Sequence, residues 1–174
     1  ANGWDNGNDH GMFSYGSEPG VVKYYPRPAF FHLYYLQKFS GDVLLNSTLK
    51  GDLNIVVIPT AFHSGQVGAT IVNMGSKQEI VRLNIENFRF GARYFTYTLT
   101  GIPNTSFSRK VFINGIGNTL DAGGPDTYES INTNSSLITD EVRITQPPLS
   151  VPLVLVEPGV NELIINEDIT GRHD

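Results

Sequence analysis

Cysteine is absent from all 174 residues, which removes disulfide staples, thiolate zinc sites and a cysteine nucleophile and leaves the redox compartment open. Basic residues are in the minority, 12 Lys and Arg against 17 Asp and Glu, for a formal charge of -5. No basic stripe is available to neutralise a phosphate backbone, so no nucleic-acid partner is expected. No apolar run reaches the length of a membrane span, and Ala1-Asn2-Gly3-Trp4 has neither the charged nor the apolar region of a signal peptide. The expectation is therefore a chain whose export signal has been removed, or an interior piece of something longer. Internal repeats, a nucleophile elbow, a phosphate loop and a zinc helix motif are also missing.

What is present is globular: 40% hydrophobic and 17% charged residues, enough for one domain plus a flank and too short for a complete barrel of roughly 250 residues. The organising stretch runs from Leu53 to Thr100. In Val81-Arg82-Leu83-Asn84-Ile85-Glu86 apolar side chains take every second position, the period of a strand with one buried face. Phe95, Tyr97 and Leu99 alternate with Tyr94, Thr96 and Thr98, and the runs 55–62 and 67–72 add two more strands joined by His63-Ser64-Gly65-Gln66 and Met74-Gly75-Ser76-Lys77. An antiparallel meander with one buried face follows.

Beyond it, 110–114 reads as a strand closed by an Asn114-Gly115 turn, 121–126 and 130–140 as loops, and 142–145 as a strand stopped by Pro147-Pro148. Val151 to Val156 is nearly continuous apolar, as a strand buried on both sides would be, and 162–165 reads as an edge strand. Some eight strands with short links predict a mainly β, antiparallel two-sheet β-sandwich with one N-terminal helix and a long N-terminal loop.

The helix is Ala29 to Lys38, opened by Pro26-Arg27-Pro28. Phe30, Phe31, Leu33, Tyr34, Tyr35 and Leu36 cover nearly its whole circumference. A helix apolar all round is normally buried between two layers, so it asks for a partner surface, another subunit or an absent domain. The alternative is a helix that caps an open sandwich and points tyrosine hydroxyls at solvent.

Chemistry is thinly marked. His10, His32, His63 and His173 are scattered; His32 reads as a packing residue and His63 as a solvated turn residue. No carboxylate pair stands out for acid/base work on a glycoside, and no catalytic residue, cofactor or metal is expected. Asp5, Asn6, Asn8 and Asp9 have a calcium-loop flavour, but Gly7 takes the third ligand position, His10 replaces the turn glycine, and no Glu closes the loop. Asn46, Asn104 and Asn134 stand in glycan-acceptor triplets. The lone Trp4, beside Asp5, Asn6 and Asn8, has the ingredients of a sugar platform: a flat apolar face and polar groups for hydroxyls. Its plainer reading is a plug at the end of the core.

The order of elements resembles the C-terminal part of a clan A glycoside hydrolase, in which a (β/α)8 barrel is followed by a β-sandwich. Gly3-Trp4-Asp5 resembles the end of the last barrel strand, the loop to Tyr25 the βα loop after it, and Tyr25-Pro26-Arg27-Pro28-Ala29 through Lys38 the last barrel helix. The hairpin Gly68 to Ser76, the run Tyr97-Thr98-Leu99-Thr100-Gly101 and the "PPxS" region Leu149 to Leu153 resemble the sandwich. The resemblance implies a division into 1–41 and 42–174 and a sugar subsite floored by Trp4; with the polar residues around it, the expected substrate contacts are Trp4, Asp5, Asn6 and His10. It further implies a secreted or cell-surface protein, a polysaccharide or oligosaccharide partner, and an absent barrel carrying both catalytic glutamates. The expected role is a non-catalytic accessory domain. The alternatives are an autonomous carbohydrate-binding module, using Tyr94 or Tyr128 as a platform, and a structural adhesion domain.

Overall fold

The computed structural model describes residues 11–16, 20–51, 54–105 and 107–159. Its elements are α1 (Pro28–Phe39), β1 (Val43–Leu44), β2 (Ile55–Ala61), β3 (Val67–Asn73), β4 (Glu79–Leu83), β5 (Phe90–Thr100), β6 (Phe112–Ile113), β7 (Asn134–Leu137), β8 (Val142–Gln146) and β9 (Ser150–Pro158). A seven-stranded antiparallel sheet runs in the order β1-β2-β3-β9-β5-β6. Strands β6 and β7 share the outer edge of β5 end to end, β7 along Arg93–Thr96 and β6 along Leu99–Thr100. Strands β4 and β8 form a separate antiparallel pair.

The mainly β, two-sheet architecture agrees with the alternation of the sequence. The meander does not hold. Strand β9 lies between β3 and β5, and β4 leaves the main sheet to pair with β8, Val81 opposite Ile144. The run 81–86 is strand only to Leu83, although Val81, Leu83 and Ile85 all pack inward. Nor is one face left to water, for β3 is buried over most of its length. On its helix side Gly68 lies beneath the end of α1, where a Cβ would collide with the Phe39 carbonyl oxygen.

The large sheet is covered on both faces. Against one face β4 and β8 enclose Ile55, Ala69, Ile71, Val142, Ile144, Val154 and Val156. On the other, Phe31, Tyr35 and Phe39, one stripe of α1 at i, i+4, i+8, meet Tyr97, Leu99, Val111, Ile113, Ile131 and Leu153. Burying Phe31 or Tyr35 contributes about 2 kcal/mol each. Two-sided burial explains the near-continuous apolar run of β9, as expected for that strand.

Local rules held in several places. Helix α1 starts with a proline in its first turn and ends where the Ser40 N–H bonds the Leu36 carbonyl at 2.8 Å. Asn114 and Gly115 both have positive φ (49° and 81°), and Ile113 and Ile116 exchange two backbone bonds of 2.9 Å across them, the geometry of a two-residue hairpin. The expected loop 130–140 instead contains β7. Its four residues are all exposed and polar but for Leu137, so no periodicity betrays it, and it is held by its register on β5 and by the Arg93 Nη1 bond to Ser135 Oγ at 2.7 Å. The expected edge strand 162–165 lies outside the described residues.

Buried Asn73 closes the sandwich at the end of β3. Its amide donates to the carbonyls of Lys77 (2.9 Å), Pro147 (2.9 Å) and Gln146 (3.3 Å), while its oxygen accepts the Gly75 N–H at 2.9 Å. One side chain thus ties the β3–β4 turn to the "PPxS" segment that leads into β9.

Candidate functional surface

Trp4, Asp5, Asn6 and His10, the expected substrate contacts, lie outside the described residues, as do the Asp5 to Asp9 loop and His173. What the structure places next to them in sequence is a short hairpin leading into α1. Ser14 N–H bonds the Tyr25 carbonyl (2.8 Å), Tyr24 N–H the Ser14 carbonyl (2.7 Å), and Arg27 N–H the Met12 carbonyl (2.9 Å). Ser14 is buried, and its Oγ accepts the Gly16 N–H at 3.1 Å.

The base of this hairpin is fixed by Tyr25. Its hydroxyl donates to Asp126 Oδ1 (2.5 Å), lies 3.1 Å from the Gly124 carbonyl, and accepts from Asn118 Nδ2 at 2.9 Å. Desolvation, then the bond to Asp126, pushes its pKa above the ordinary tyrosine value. Gly123 and Gly124 permit the approach: a Cβ on Gly124 would stand 2.6 Å from the Phe31 ring, and one on Gly123 would overlap the Tyr25 ring. A cleft of about 170 Å³ opens here between the start of α1, Val21, Phe107 and Arg109.

The helix is not wrapped all round. Its buried stripe faces the sheet, and an aromatic collar covers part of its flank: Phe13 meets Phe30 at 5.3 Å, and Tyr128 meets Phe30 at 5.4 Å and Tyr34 at 4.9 Å. Loops from outside the element thus satisfy much of the demand for a second layer. Ala29, Leu33 and Gln37 form the opposite, exposed row, with Leu33 52% accessible. Tyr35 does not point at solvent; its hydroxyl donates to the Tyr128 carbonyl at 2.6 Å, and burial raises its pKa. Tyr97 does the same for the Ile131 carbonyl at 2.6 Å.

Both expected platform tyrosines are half-buried. Tyr94 packs against the inter-sheet core and donates to the Arg143 carbonyl at 2.8 Å, and Tyr128 is clamped edge-on by Phe30, Phe31 and Tyr34. Among the described residues the prominent exposed aromatics are Tyr15 (70%), Tyr24 (69%) and Phe107 (70%). The ammonium of Lys23 sits 4.9 Å from the Tyr24 ring centre and 5.5 Å from that of Tyr15. The sequence reading missed these residues because they stand in an aperiodic stretch; two tyrosines flanking Gly and Lys were the available signal.

The remaining groups are structural. His32 Nδ1 donates to the Pro28 carbonyl one turn back at 2.8 Å, and His63, in its solvated turn, bonds Asp42 through both backbone and ring. A second cleft of about 180 Å³ contains Asp140 and Glu141; these are adjacent in sequence, and Glu141 is engaged by Arg82 (3.5 Å) and Arg143 (3.4 Å). That is not the facing pair glycoside hydrolysis needs. Among the described residues no group of three His, Asp or Glu side chains is placed to hold a metal, and no helix is long and apolar enough to cross a membrane. Asn46, Asn104 and Asn134 are exposed.

In fold the chain is similar to the glycoside hydrolase family 30 subfamily 8 xylanase of Clostridium acetobutylicum, with a TM-score of 0.53 at 15% identity over 87% of this chain and 32% of that one. It is also similar to the thermostable family 51 α-L-arabinofuranosidase of Thermotoga petrophila, with a TM-score of 0.52 at 14% identity over 76% of this chain and 29% of that one. The α-L-arabinofuranosidase of Thermotoga maritima, solved with arabinose, gives the same figures: 0.52, 14%, 76% and 29%. The chain spans less than a third of the length of each of these enzymes. No protein-family model and no curated protein matches the sequence.

Proposed function

We propose that this chain is the non-catalytic C-terminal β-sandwich of a secreted or cell-surface polysaccharide-degrading glycoside hydrolase, and that it braces a (β/α)8 catalytic domain outside the chain. The observation that carries this reading is the exposed Ala29, Leu33 and Gln37 row on an otherwise apolar helix. An exposed leucine amid half-covered aromatics fits a surface that another layer covers. The fold likeness to the xylanase and the arabinofuranosidases supports the same class. In this reading residues 1–41 belong with the barrel and 42–174 form the accessory domain. Trp4, Asp5, Asn6 and His10 contribute to sugar contact, and both catalytic carboxylates stand on the other domain.

Intact mass of the native protein tests it. A mass above 19.2 kDa by about a barrel of roughly 250 residues, with hydrolysis of a polysaccharide that Leu33→Glu impairs, is the expected result. A native mass of 19.2 kDa would overturn the bracing role. It would leave the autonomous carbohydrate-binding module, which the exposed Tyr15 and Tyr24 favour.

A further inference from the structure

The hairpin before α1 keeps an aromatic residue where the backbone disfavours one. Tyr25 N–H bonds the Val22 carbonyl at 3.3 Å, closing a four-residue turn in which Tyr24 is the third residue with φ of 67°. That position of a turn strongly prefers Gly or Asn, because a Cβ crowds the backbone there. Of the five non-glycine residues with positive φ among the described residues, three are asparagines and Tyr24 is the one aromatic. Its side chain contributes nothing to either core cluster and stands 69% exposed. Core packing therefore does not account for the ring at this strained position, and strained positions cluster at functional sites.

The surroundings hold that ring in a defined place. Gly16, at φ of 89°, lies against Lys23, where a Cβ would come within 2.9 Å of the Lys23 Cβ. This close approach brings Lys23 under both Tyr24 and Tyr15, its ammonium 4.9 and 5.5 Å from the two ring centres. The cation links the rings while leaving most of each in solvent. A pair of exposed aromatic faces with hydroxyls at their rims and one cation between them suits a ligand with apolar C–H faces and many hydroxyls.

We propose that Tyr15, Lys23 and Tyr24 form a platform for the sugar rings of a neutral oligosaccharide, with the tyrosines stacking on C–H faces and Lys23 donating to hydroxyl oxygens. The inference rests on the carbohydrate-related reading above, and it gives Tyr15, Lys23 and Tyr24 defined roles in contacting the sugar.

The test is calorimetric titration of the full chain with xylohexaose and with a linear arabino-oligosaccharide, comparing the wild type with Tyr15→Ala, Lys23→Met and Tyr24→Gly. The expected result is saturable binding of one of the two, weakened about tenfold by each tyrosine substitution and less by Lys23→Met. Tyr24→Gly should also melt at the same or a higher temperature than the wild type, because glycine takes φ of 67° without strain. Loss of binding with undiminished stability separates a ligand role from a structural one. No binding of either sugar by the wild type, or binding that Tyr15→Ala and Tyr24→Gly leave unchanged, overturns the platform. A variant Tyr24→Gly that loses both folding and binding also overturns it, since the ring would then be structural. The bracing role stands or falls on the native mass, which none of these outcomes alters.

Discussion

Replacing Asn73 is the sharpest perturbation of the sandwich. The residue is 1% exposed, and its amide serves three backbone carbonyls and one backbone N–H, two of them in the adjoining β3–β4 turn and two in the distant segment before β9. The assignment of its oxygen and nitrogen is internally consistent, since the three partners on one side are all acceptors and the partner on the other is a donor. Three of the four bonds measure 2.9 Å. At about 1 kcal/mol for each of these, Asn73→Ala should cost about 3 kcal/mol, because two carbonyls and one N–H, all partly buried, lose the amide as a partner. For a chain of this length that lowers the melting temperature by roughly 6–12 °C. Asn73→Asp is the discriminating variant: a carboxylate would face three carbonyl oxygens, so its folded-state pKa should rise above the unfolded value near about 3.9. A raised acid pKa contributes relative stability below the unfolded pKa and loses it as pH rises towards the folded pKa. Urea titrations of wild type and both variants between pH 4 and pH 8 should therefore show the cost of Asn73→Asp growing with pH. A cost for Asn73→Ala below 1 kcal/mol, or a pH-independent cost for Asn73→Asp, would overturn this account of the buried amide.

Gly68→Ala should destabilise by about 1–3 kcal/mol in chemical denaturation, since the new methyl meets the Phe39 carbonyl at the end of α1 and the sheet cannot yield as a side chain would; unchanged stability would mean α1 is free to lift. Tyr35→Phe should cost about 1–2 kcal/mol without opening a cavity, by leaving the Tyr128 carbonyl unpaired, and a neutral result would show that water reaches that carbonyl. The Asp42 carboxyl is held below the ordinary carboxylate range first by the His63 backbone N–H and then by the His63 ring. Carboxyl NMR titration of His63→Ala should therefore still find Asp42 below that range, and the stability it contributes is present above the unfolded pKa and lost as pH falls through the folded one. A return of Asp42 to its usual value in that variant would assign the effect to the ring instead.

Little of the candidate surface was legible beforehand. The residues singled out from the sequence, Trp4 with Asp5, Asn6 and His10, lie outside the described residues. Those that the structure presents, Tyr15, Lys23 and Tyr24, sit in a segment with no period to read. A turn whose third position should be glycine can only be recognised once its φ is known. Alternation gave Tyr94 a face but not its cover, and nothing local marked what surrounds Tyr128; in three dimensions the Tyr94 hydroxyl bonds the Arg143 carbonyl and the α1 aromatics pack against the Tyr128 ring.

Whatever depends on neighbours a few residues away is already written in the chain. Alternation marked β5 and β8, Pro28 started α1, Asn114-Gly115 made its turn, and the unbroken apolar run of Val151 to Val156 announced a strand covered on both sides. These are local preferences of the backbone and of the side-chain period, and they survive any topology. Which strands become partners is settled in three dimensions alone. Placing β9 between β3 and β5, and sending β4 across to β8, depends on pairing segments tens of residues apart, for which one-dimensional alternation carries no address. The same is true of α1: its composition demanded cover on nearly every side, and the chain supplied the sheet on one face and Phe13 and Tyr128 along its flank, leaving the Leu33 row open. Composition can state that apolar area must be buried, but the identity of what buries it is a property of the assembled fold.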